Sequence, residues 1–290
     1  MNNYGAQNMI APLERVVVRA PSPGMASADA DLWHYGDQLD QAVLESEHRE
    51  FVKSLSANGA EIVRLNEAPD SLYDAVFTHD PSLVTNHGAI LLRMGKTLRS
   101  GEVDAHAALY TRLGIPVLGS IESPGMVEGG DCLWLDNNTL VVGRGFRTNQ
   151  EGINQLAEIL RGTDVEVFAF DLPVYYGGDA CLHLMSLISL LDSDLALVRK
   201  PLLPVALYLL LRARGVEMID APEAEFTASN TLSINVLALG PRHGIMLAGL
   251  PETRAVMENA GCRIDTFPGD TLCIKCEGGP TCLTRPLLRA

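Results

Sequence analysis

Apolar and polar residues follow one pattern five times along the chain. A stretch with apolar positions three and four residues apart, as in an amphipathic helix, ends near a glycine and precedes a short alternating run, as in a strand. The helical stretches are residues 41–57, 102–113, 148–160, 203–213 and 252–260. The strand-like runs are residues 60–65, 115–120, 165–170, 216–221 and 262–267. A left-handed C-cap would end each helix at the intervening glycine: Gly59, Gly114, Gly162, Gly215 and Gly261.

Turn-forming residues between these units predict β-hairpins, centred on residues 86–88, 136–138, 192–194 and 241–244. The closing glycines recur about every 50 residues, a period typical of solenoids and propellers. We therefore predict an α/β fold in which five ββαβ blades close around a pseudo-fivefold axis, as a single catalytic domain over residues 1–290. The alternative is a doubly wound α/β domain, which expects parallel strands without these hairpins.

Composition narrows the class of protein. The chain has 290 residues with a net charge of −14, and this acidic excess disfavours binding to nucleic acid. The N-terminus lacks the pattern of a signal peptide, and the most apolar window, residues 202–211, is too short to span a bilayer. Without an export signal, the six cysteines are expected to be reduced thiols in the cytoplasm.

Paired glycines precede three of the predicted strands. They lie in EGGD at 128–131, GGD at 177–179 and EGG at 277–279. Glycine allows close backbone approach or a positive φ angle, which suits chains that converge on an axis. Ordinary tight turns would also explain each pair by itself. Their positions near Glu128, His183 and Cys282 favour a functional role.

Five motifs together resemble those of the guanidino-group-modifying enzymes, the amidinotransferase or pentein superfamily. They are FTHDP at 77–81, EGGD at 128–131, FRTN at 146–149, CLHLMS at 181–186 and GGPTCLTRPL at 278–287. This superfamily includes arginine deiminases, amidinotransferases and dimethylarginine dimethylaminohydrolases, and the resemblance is strongest to the last group. It implies a five-bladed ββαβ propeller with a central funnel, and no metal or cofactor.

The resemblance implies a catalytic role for three residues. Cys282 lies where the family has its nucleophile, and a thiolate can attack the poorly electrophilic guanidinium carbon and divide the substitution into two steps. His183 would protonate the departing amine and then activate water. Glu128 would hold the His183 ring in its working orientation. The alternatives are a buried apolar cysteine, a core histidine and a surface or helix-capping glutamate.

Three further residues are candidates for substrate binding. Asp80 would pair with the guanidinium through charge-assisted hydrogen bonds, unless its Asp-Pro setting is a plain turn. Arg99 and Arg147 are candidate clamps for a substrate carboxylate, because a guanidinium matches a carboxylate bidentately. Asn235 matches a family asparagine and is expected to be structural support.

Met185 stands where deiminases and amidinotransferases carry a second carboxylate, two residues after the catalytic histidine. A thioether cannot accept a strong hydrogen bond. If Met185 reaches the funnel, the site should therefore prefer an N-alkylated guanidine. Cys273 and Cys276 form a CxxC pair, but no second pair completes a metal site, and in an extended strand the two side chains would point to opposite faces.

The sequence predicts a cytoplasmic hydrolase that cleaves a C–N bond of a guanidino amino acid, namely an N-methylated arginine, to a ureido product. Arginine deimination and amidino transfer are the alternatives within the superfamily. From a different class, the chain would be an inactive binding protein on the same scaffold. The expected partner is a small cationic guanidino substrate, without nucleic acid or membrane, and a homodimer stays open.

Overall fold

Five three-stranded β-sheets form the described part of the fold in the computed structural model, and four of them consist of strands that are consecutive along the chain. The structure describes residues 3–36, 39–177 and 182–290. Within these ranges the strands are β1 (Leu13–Val18), β2 (Glu61–Arg64), β3 (Ser82–Val84), β4 (Ala89–Leu91), β5 (Val117–Ser120), β6 (Cys132–Asp136), β7 (Thr139–Arg144), β8 (Glu166–Asp171), β9 (Ile188–Asp192), β10 (Leu195–Val198), β11 (Glu217–Asp220), β12 (Leu237–Gly240), β13 (His243–Leu247), β14 (Arg263–Phe267) and β15 (Arg285–Arg289). The helices are α1 (Ala30–Trp33), α2 (Gln41–Ala57), α3 (Glu102–Leu113), α4 (Gln150–Ile159), α5 (Val205–Ala213), α6 (Glu223–Ala228) and α7 (Pro251–Asn259).

Each sheet combines an antiparallel pair with a third, parallel strand that returns after a helix. In four sheets the pair is a hairpin, as in β3–β4 followed by α3 and β5. In the remaining sheet β15 runs antiparallel to β1, and β2 lies parallel to β1 after α2. The first unit is therefore completed by the C-terminal strand. The predicted α/β class and the ββαβ order of elements are confirmed.

The helix boundaries agree with the sequence pattern at or near every end. Helices α2 and α3 occupy the predicted residues, and the other three begin or end within two residues of the prediction. Helix α4 begins later because the Asn149 side chain accepts a hydrogen bond from the Gly152 amide at 2.8 Å, which makes Asn149 the N-cap. All five closing glycines have positive φ angles, as their predicted C-cap role requires.

The CxxC pair lies on a different element from the one predicted. Cys273 belongs to a π-helical turn, Asp270–Ile274, and Cys276 lies two residues after its end. The expectation of an extended strand here was wrong. A periodicity of two is hard to distinguish from a single irregular turn over so few residues.

Five of the residues singled out from the sequence occupy equivalent places in the five units. Each lies a few residues before the first strand of its unit: Asp80 before β3, Glu128 before β6, His183 before β9, Asn235 before β12 and Cys282 before β15. Apolar clusters hold the helices and strands of the units together. For example, Phe51 of α2 packs on Phe267 of β14 with ring centroids 4.6 Å apart. The side chains that precede the first strands can therefore lie close to one another. Across the described parts of the chain, no helix has the length and apolar character needed to cross a membrane.

Candidate active site

Five of the six candidate residues line one cavity of about 460 Å³: Asp80, Arg99, Arg147, His183 and Cys282. The sixth, Glu128, is completely buried behind His183. Aromatic side chains form much of the remaining wall, namely Trp33, Phe77, Phe146, Tyr175 and Tyr176. The cavity therefore combines charged groups with aromatic side chains.

Glu128 is held by several donors at once. Its Oε2 atom accepts a hydrogen bond from Nε2 of His183 at 2.9 Å, and its Oε1 atom accepts one from the Gly95 amide at 2.9 Å. Arg147 donates from Nε to Oε1 of Glu128 at 2.8 Å, and its Nη2 atom lies 2.8 Å from Oε2. Burial opposes ionisation of Glu128, but the bonds to His183 and Arg147 outweigh it and hold the pKa of this carboxyl below its usual range. Glu128 is therefore an ionised acceptor that orients the imidazole.

Burial by itself would lower the pKa of His183. The carboxylates of Asp131, Glu128 and Asp80 outweigh burial and raise the pKa of His183 to about 9. At neutral pH the ring is therefore an imidazolium that can donate a proton.

The paired glycines of EGGD make this geometry sterically possible. A Cβ atom at Gly130 would lie 2.4 Å from Nδ1 of His183 and 3.1 Å from Oδ1 of Asp80. A Cβ atom at Gly129 would lie 2.3 Å from the carbonyl oxygen of His79. The Gly130 amide also donates to Oδ1 of Asp80 at 2.9 Å. The predicted close approach at this pair is thus present in the structure.

Asp80 lies on the cavity floor and is tied to Arg99. Oδ2 of Asp80 accepts a hydrogen bond from Nη1 of Arg99 at 2.7 Å. Burial would raise the pKa of Asp80, but the Arg99 guanidinium, with His183, holds the pKa of Asp80 well below its usual range. Asp80 is therefore a buried carboxylate available to a cationic ligand.

Arg99 itself is directed towards protein acceptors. Its Nε and Nη2 atoms donate to the two carboxylate oxygens of Glu102 at 2.9 and 2.8 Å, and Nη2 also donates to the Phe77 carbonyl at 3.0 Å. Each nitrogen of the guanidinium thus has a protein partner. This geometry does not favour the expected role of Arg99 as a clamp for a substrate carboxylate, and it makes Arg99 a support for Asp80.

Arg147 is partly exposed at the cavity, with 22% of its side chain accessible. Its bidentate pair with Glu128 links the FRTN motif to the EGGD motif. Sequence reasoning assigned Arg147 to the substrate and did not anticipate this bond.

Cys282 is partly buried, with a hydrogen-bond donor in contact with its sulfur and the negative charge of Asp80 nearby. Its Sγ atom accepts a hydrogen bond from Nδ2 of Asn235 at 3.2 Å. Burial, followed by the negative charge of Asp80, raises the pKa of the Cys282 thiol to about 11. In the absence of a cationic ligand, the thiol is therefore protonated at neutral pH.

Met185 lies outside this cavity, contrary to the assumption made from the sequence. Its side chain is 5% exposed and packs in an apolar cluster with Leu133 and Leu190. It borders a separate cavity of about 10 Å³. The residue directly follows His183 and Leu184 in a 3₁₀ turn, Leu184–Ser186, which directs it into the core. The inference that Met185 faces the guanidinium was wrong.

A cation could be considered at Asp80, Glu128 and His183, whose ligand atoms lie within 4.8 Å of one another. Arg99 and Arg147 already donate to the two carboxylates, and Nε2 of His183 is bonded to Glu128. The site therefore already holds the positive charge that a metal would bring. The expectation of a metal-independent reaction stays a prediction.

The CxxC pair contributes one residue to the cavity wall, Cys276. Burial raises the pKa of both Cys273 and Cys276, so neither thiol is ionised at neutral pH. Two other predicted features, the second glycine of the 177–178 pair and Cys181 of CLHLMS, lie outside the described residues.

Comparison with known proteins defines the class first. The arginine deiminase family model matches residues 68–214, about half of the 290 residues. The chain belongs to the arginine deiminase family. The matched range contains Asp80, Arg99, Glu128, Arg147 and His183.

Individual relatives are more specific. The chain is 26% identical over 281 residues to N(G),N(G)-dimethylarginine dimethylaminohydrolase of Pseudomonas aeruginosa, covering 93% of this chain and 98% of the relative. It is 28% identical over 251 residues to the protein of the same description from Streptomyces coelicolor, covering 86% of this chain and 88% of the relative. It is 25% identical over 322 residues to arginine deiminase of Clostridium perfringens, covering 87% and 77%.

Solved structures share the fold. A mutant of the Pseudomonas aeruginosa dimethylarginine hydrolase complexed with citrulline matches with a TM-score of 0.77 at 23% identity, covering 94% of this chain and 99% of that one. An amidinotransferase from Microseira wollei matches with a TM-score of 0.77 at 17% identity, covering 99% and 97%. These two structures show the fold. The family model and the relatives confirm the resemblance to the guanidino-group-modifying enzymes.

Proposed function

We propose that this chain is a cysteine-dependent hydrolase that converts an N-methylated arginine into citrulline and an amine. The observation that carries the proposal is the convergence of the Cys282 thiol, the His183 imidazolium and the Asp80 carboxylate on one cavity. A thiol, a proton donor and an anionic anchor are the groups that substitution at a guanidinium carbon requires. The relatives described as dimethylarginine dimethylaminohydrolases support the choice of substrate.

Substrate binding activates the nucleophile in this scheme. The guanidinium pairs with Asp80 and brings a positive charge beside Cys282, which lowers the pKa of the thiol from its resting value of about 11. The thiol proton leaves to solvent as the cation binds. Because Asp80 is negative, it disfavours the thiolate until the substrate neutralises it.

The two chemical steps then use the same histidine. Sγ of Cys282 bonds to the guanidinium carbon, and the C–N bond to the alkylated nitrogen breaks as His183 gives its proton to the departing amine. Neutral His183 next takes a proton from water, which attacks the thiouronium carbon. The C–S bond breaks, the proton left on the added hydroxyl goes to solvent, and citrulline, the thiolate and the imidazolium are formed. Glu128 orients the ring through both steps, through its bond to Nε2 of His183.

The two arginines have different roles in this proposal. Arg99 holds Asp80 in place, because its nitrogens are engaged by Asp80, Glu102 and the Phe77 carbonyl. Arg147, which is partly exposed at the cavity, contacts the substrate carboxylate while it supports Glu128. We propose further that the five sheets form a five-bladed, pseudo-fivefold propeller, and that residues 1–290 are one catalytic domain.

Product analysis tests the proposal directly. The purified protein is mixed with arginine, monomethylarginine and asymmetric dimethylarginine, and release of ammonia, methylamine and dimethylamine is measured. Dimethylamine should dominate, Cys282→Ser should release less than about a tenth of it, and activity should survive chelation of metals. Ammonia from arginine as the main product would instead support a deiminase, the alternative that the family match favours.

A second assay separates an enzyme from an inactive binding protein. A chloroacetamidine should label Cys282 in an enzyme, and His183→Gly should accumulate a covalent adduct on Cys282 that intact-protein mass spectrometry detects. Absence of labelling would support a binding protein. A cytoplasmic location and a homodimer remain predictions, which cell fractionation and sedimentation measure.

A further inference from the structure

Asn235 lies in the fifth of the five equivalent positions before the first strands of the units. Its side chain lines the cavity, and only 5% of the residue is exposed to solvent. Nδ2 of Asn235 is 3.2 Å from Sγ of Cys282, within the range of a hydrogen bond to sulfur. The sequence suggested structural support for this residue, whereas the contact is with the reacting atom itself.

The orientation of the Asn235 amide is determined by a second bond. Its Oδ1 atom accepts a hydrogen bond from the backbone amide of Thr281 at 2.9 Å. A backbone N–H can only donate, so the oxygen must face Thr281 and the NH₂ group must face Cys282. The position of this amide depends on Gly279 as well, because a Cβ atom there would lie 2.5 Å from Cγ of Asn235.

A neutral donor suits the charges of this site. A thiolate beside a cationic substrate needs stabilisation, but a lysine or arginine at Sγ would repel the guanidinium that Asp80 attracts. An amide N–H stabilises negative sulfur without adding a positive charge. It acts whenever Sγ is anionic, which is before attack on the substrate and again as the C–S bond breaks.

We propose that Asn235 is a catalytic residue that donates a hydrogen bond to the Cys282 thiolate and stabilises it relative to the thiol. This inference rests on the proposed role of Cys282 as the nucleophile. It deepens that role by naming the group that holds the sulfur.

Asn235→Ala is the decisive variant for the thiol pKa, because it removes the donor to Cys282 without adding a charge. Asn235→Asp keeps an oxygen for the Thr281 amide while it removes the donor. Asn235→Ala removes both bonds. A purely structural role predicts that the alanine variant keeps the wild-type thiol pKa, whereas the negative charge of the aspartate raises this pKa whether or not Asn235 donates. A role in stabilising the thiolate predicts that both variants raise the thiol pKa, and that the aspartate, which adds a negative charge, raises it further.

The measurement is alkylation of Cys282 by iodoacetamide from pH 6 to about 11, with the modified residue assigned by peptide mass spectrometry. Thiolate is the reacting form, so each unit of pKa change alters the rate about tenfold below the pKa. We expect Asn235→Asp to slow alkylation at pH 8 by about tenfold or more and Asn235→Ala by less. Asn154→Asp, an exposed change of the same charge on α4, should leave the profile unchanged.

The outcomes separate the two proposals. Failure of Cys282 to react at any pH in wild type would contradict its role as nucleophile and the proposed function. Normal reaction in wild type, with the wild-type pH profile in Asn235→Ala, would overturn the role of Asn235 and leave the proposed function intact. If Asn235→Ala does not fold, as judged by circular dichroism, the profile of Asn235→Leu decides, because leucine also lacks the donor and adds no charge.

Discussion

Arg99 and Asp80 form an ion pair with 2.7 Å between Nη1 and Oδ2, and only 4% and 5% of the two side chains are exposed. Oε2 of Glu102 lies 2.8 Å from Nη2 of the same guanidinium, and 1% of the Glu102 side chain is exposed. Burial, although opposed by Arg99, raises the pKa of Glu102 to about 7. Arg99 therefore holds together two buried carboxyl groups directly beneath the cavity.

Replacing Arg99 by methionine should destabilise the protein strongly. Asp80 and Glu102 would lose their shared cation while remaining buried, and breaking a buried pair costs about 3–5 kcal/mol. Urea denaturation measures the free energy of unfolding. A loss below about 1 kcal/mol would contradict the importance of this pair, because that is the range of exposed ion pairs.

Arg112→Met provides the matched control. Arg112 pairs with Glu67 at the surface, and 47% of the Arg112 side chain is exposed. Solvent screening limits such a pair to about 1 kcal/mol or less. The difference between the two variants isolates the contribution of burial.

Gly130→Ala should remove activity while the protein stays folded. The new Cβ atom would lie 2.4 Å from Nδ1 and 2.7 Å from Cγ of His183, so the ring must move. A displacement of about 1 Å in a catalytic group can reduce the rate about a hundredfold. Steady-state kinetics should therefore show a large loss of kcat/KM, whereas thermal unfolding should show that the variant is still folded.

Gly240→Ala is the control for this substitution. Gly240 ends β12, and a Cβ atom there would meet nothing within 4 Å. Turnover should stay at the wild-type value. Equal loss of activity in both variants would show that the effect at Gly130 does not come from contact with His183.

The sequence predicted the repeating part of the fold well because local physics determines it. Helix periodicity and the closing glycines act within a few residues, so the ends of α2 and α3 could be read directly. The pairing of β15 with β1 could not, because it joins the two ends of the chain and depends on closure of the whole fold. No local pattern carries that information.

The site shows the same division. Motifs identified Cys282, His183 and Glu128. Cys282 and His183 line the same cavity, and Glu128 is bonded to His183. The partners of Arg99 and the direction of Met185 could not be read from sequence, because both depend on which neighbour packs against the side chain. An arginine near a predicted active site can serve either a substrate carboxylate or a buried protein carboxylate. Only the packing distinguishes them.

Protonation of His183 should make stability depend on pH. The pKa of His183 is about 9 in the folded protein against an ordinary value of 6.5. A raised pKa means that the folded state binds the proton more tightly, so the stabilisation is complete below pH 6.5 and is lost as pH rises to about 9. The shift corresponds to about 3 kcal/mol at 1.36 kcal/mol per pKa unit.

Comparison with His183→Gln isolates this contribution. The free energy of unfolding is measured by urea denaturation between pH 6 and 9.5 for both proteins. The advantage of wild type over the variant should shrink across this interval as the imidazolium loses its proton. A difference that is constant with pH would exclude a raised pKa for His183 in the folded state.

Met185→Asp should destabilise the protein and leave substrate preference unchanged. Met185 packs among Leu133, Leu190 and other apolar side chains, and is absent from the lining of the large cavity. A carboxylate there would be buried among apolar side chains with few hydrogen-bond donors, which costs about 3 kcal/mol. Arg289 borders the same small cavity and limits the loss, although it already donates to the carbonyl oxygens of Ala11 and Ala238.

Met185→Leu keeps the volume and polarity and should cost less than about 1.5 kcal/mol. The measurements are the urea midpoint and the ratio of kcat/KM for dimethylarginine to that for arginine. A shift of this ratio towards arginine in Met185→Asp alone would mean that the side chain reaches the guanidinium after all.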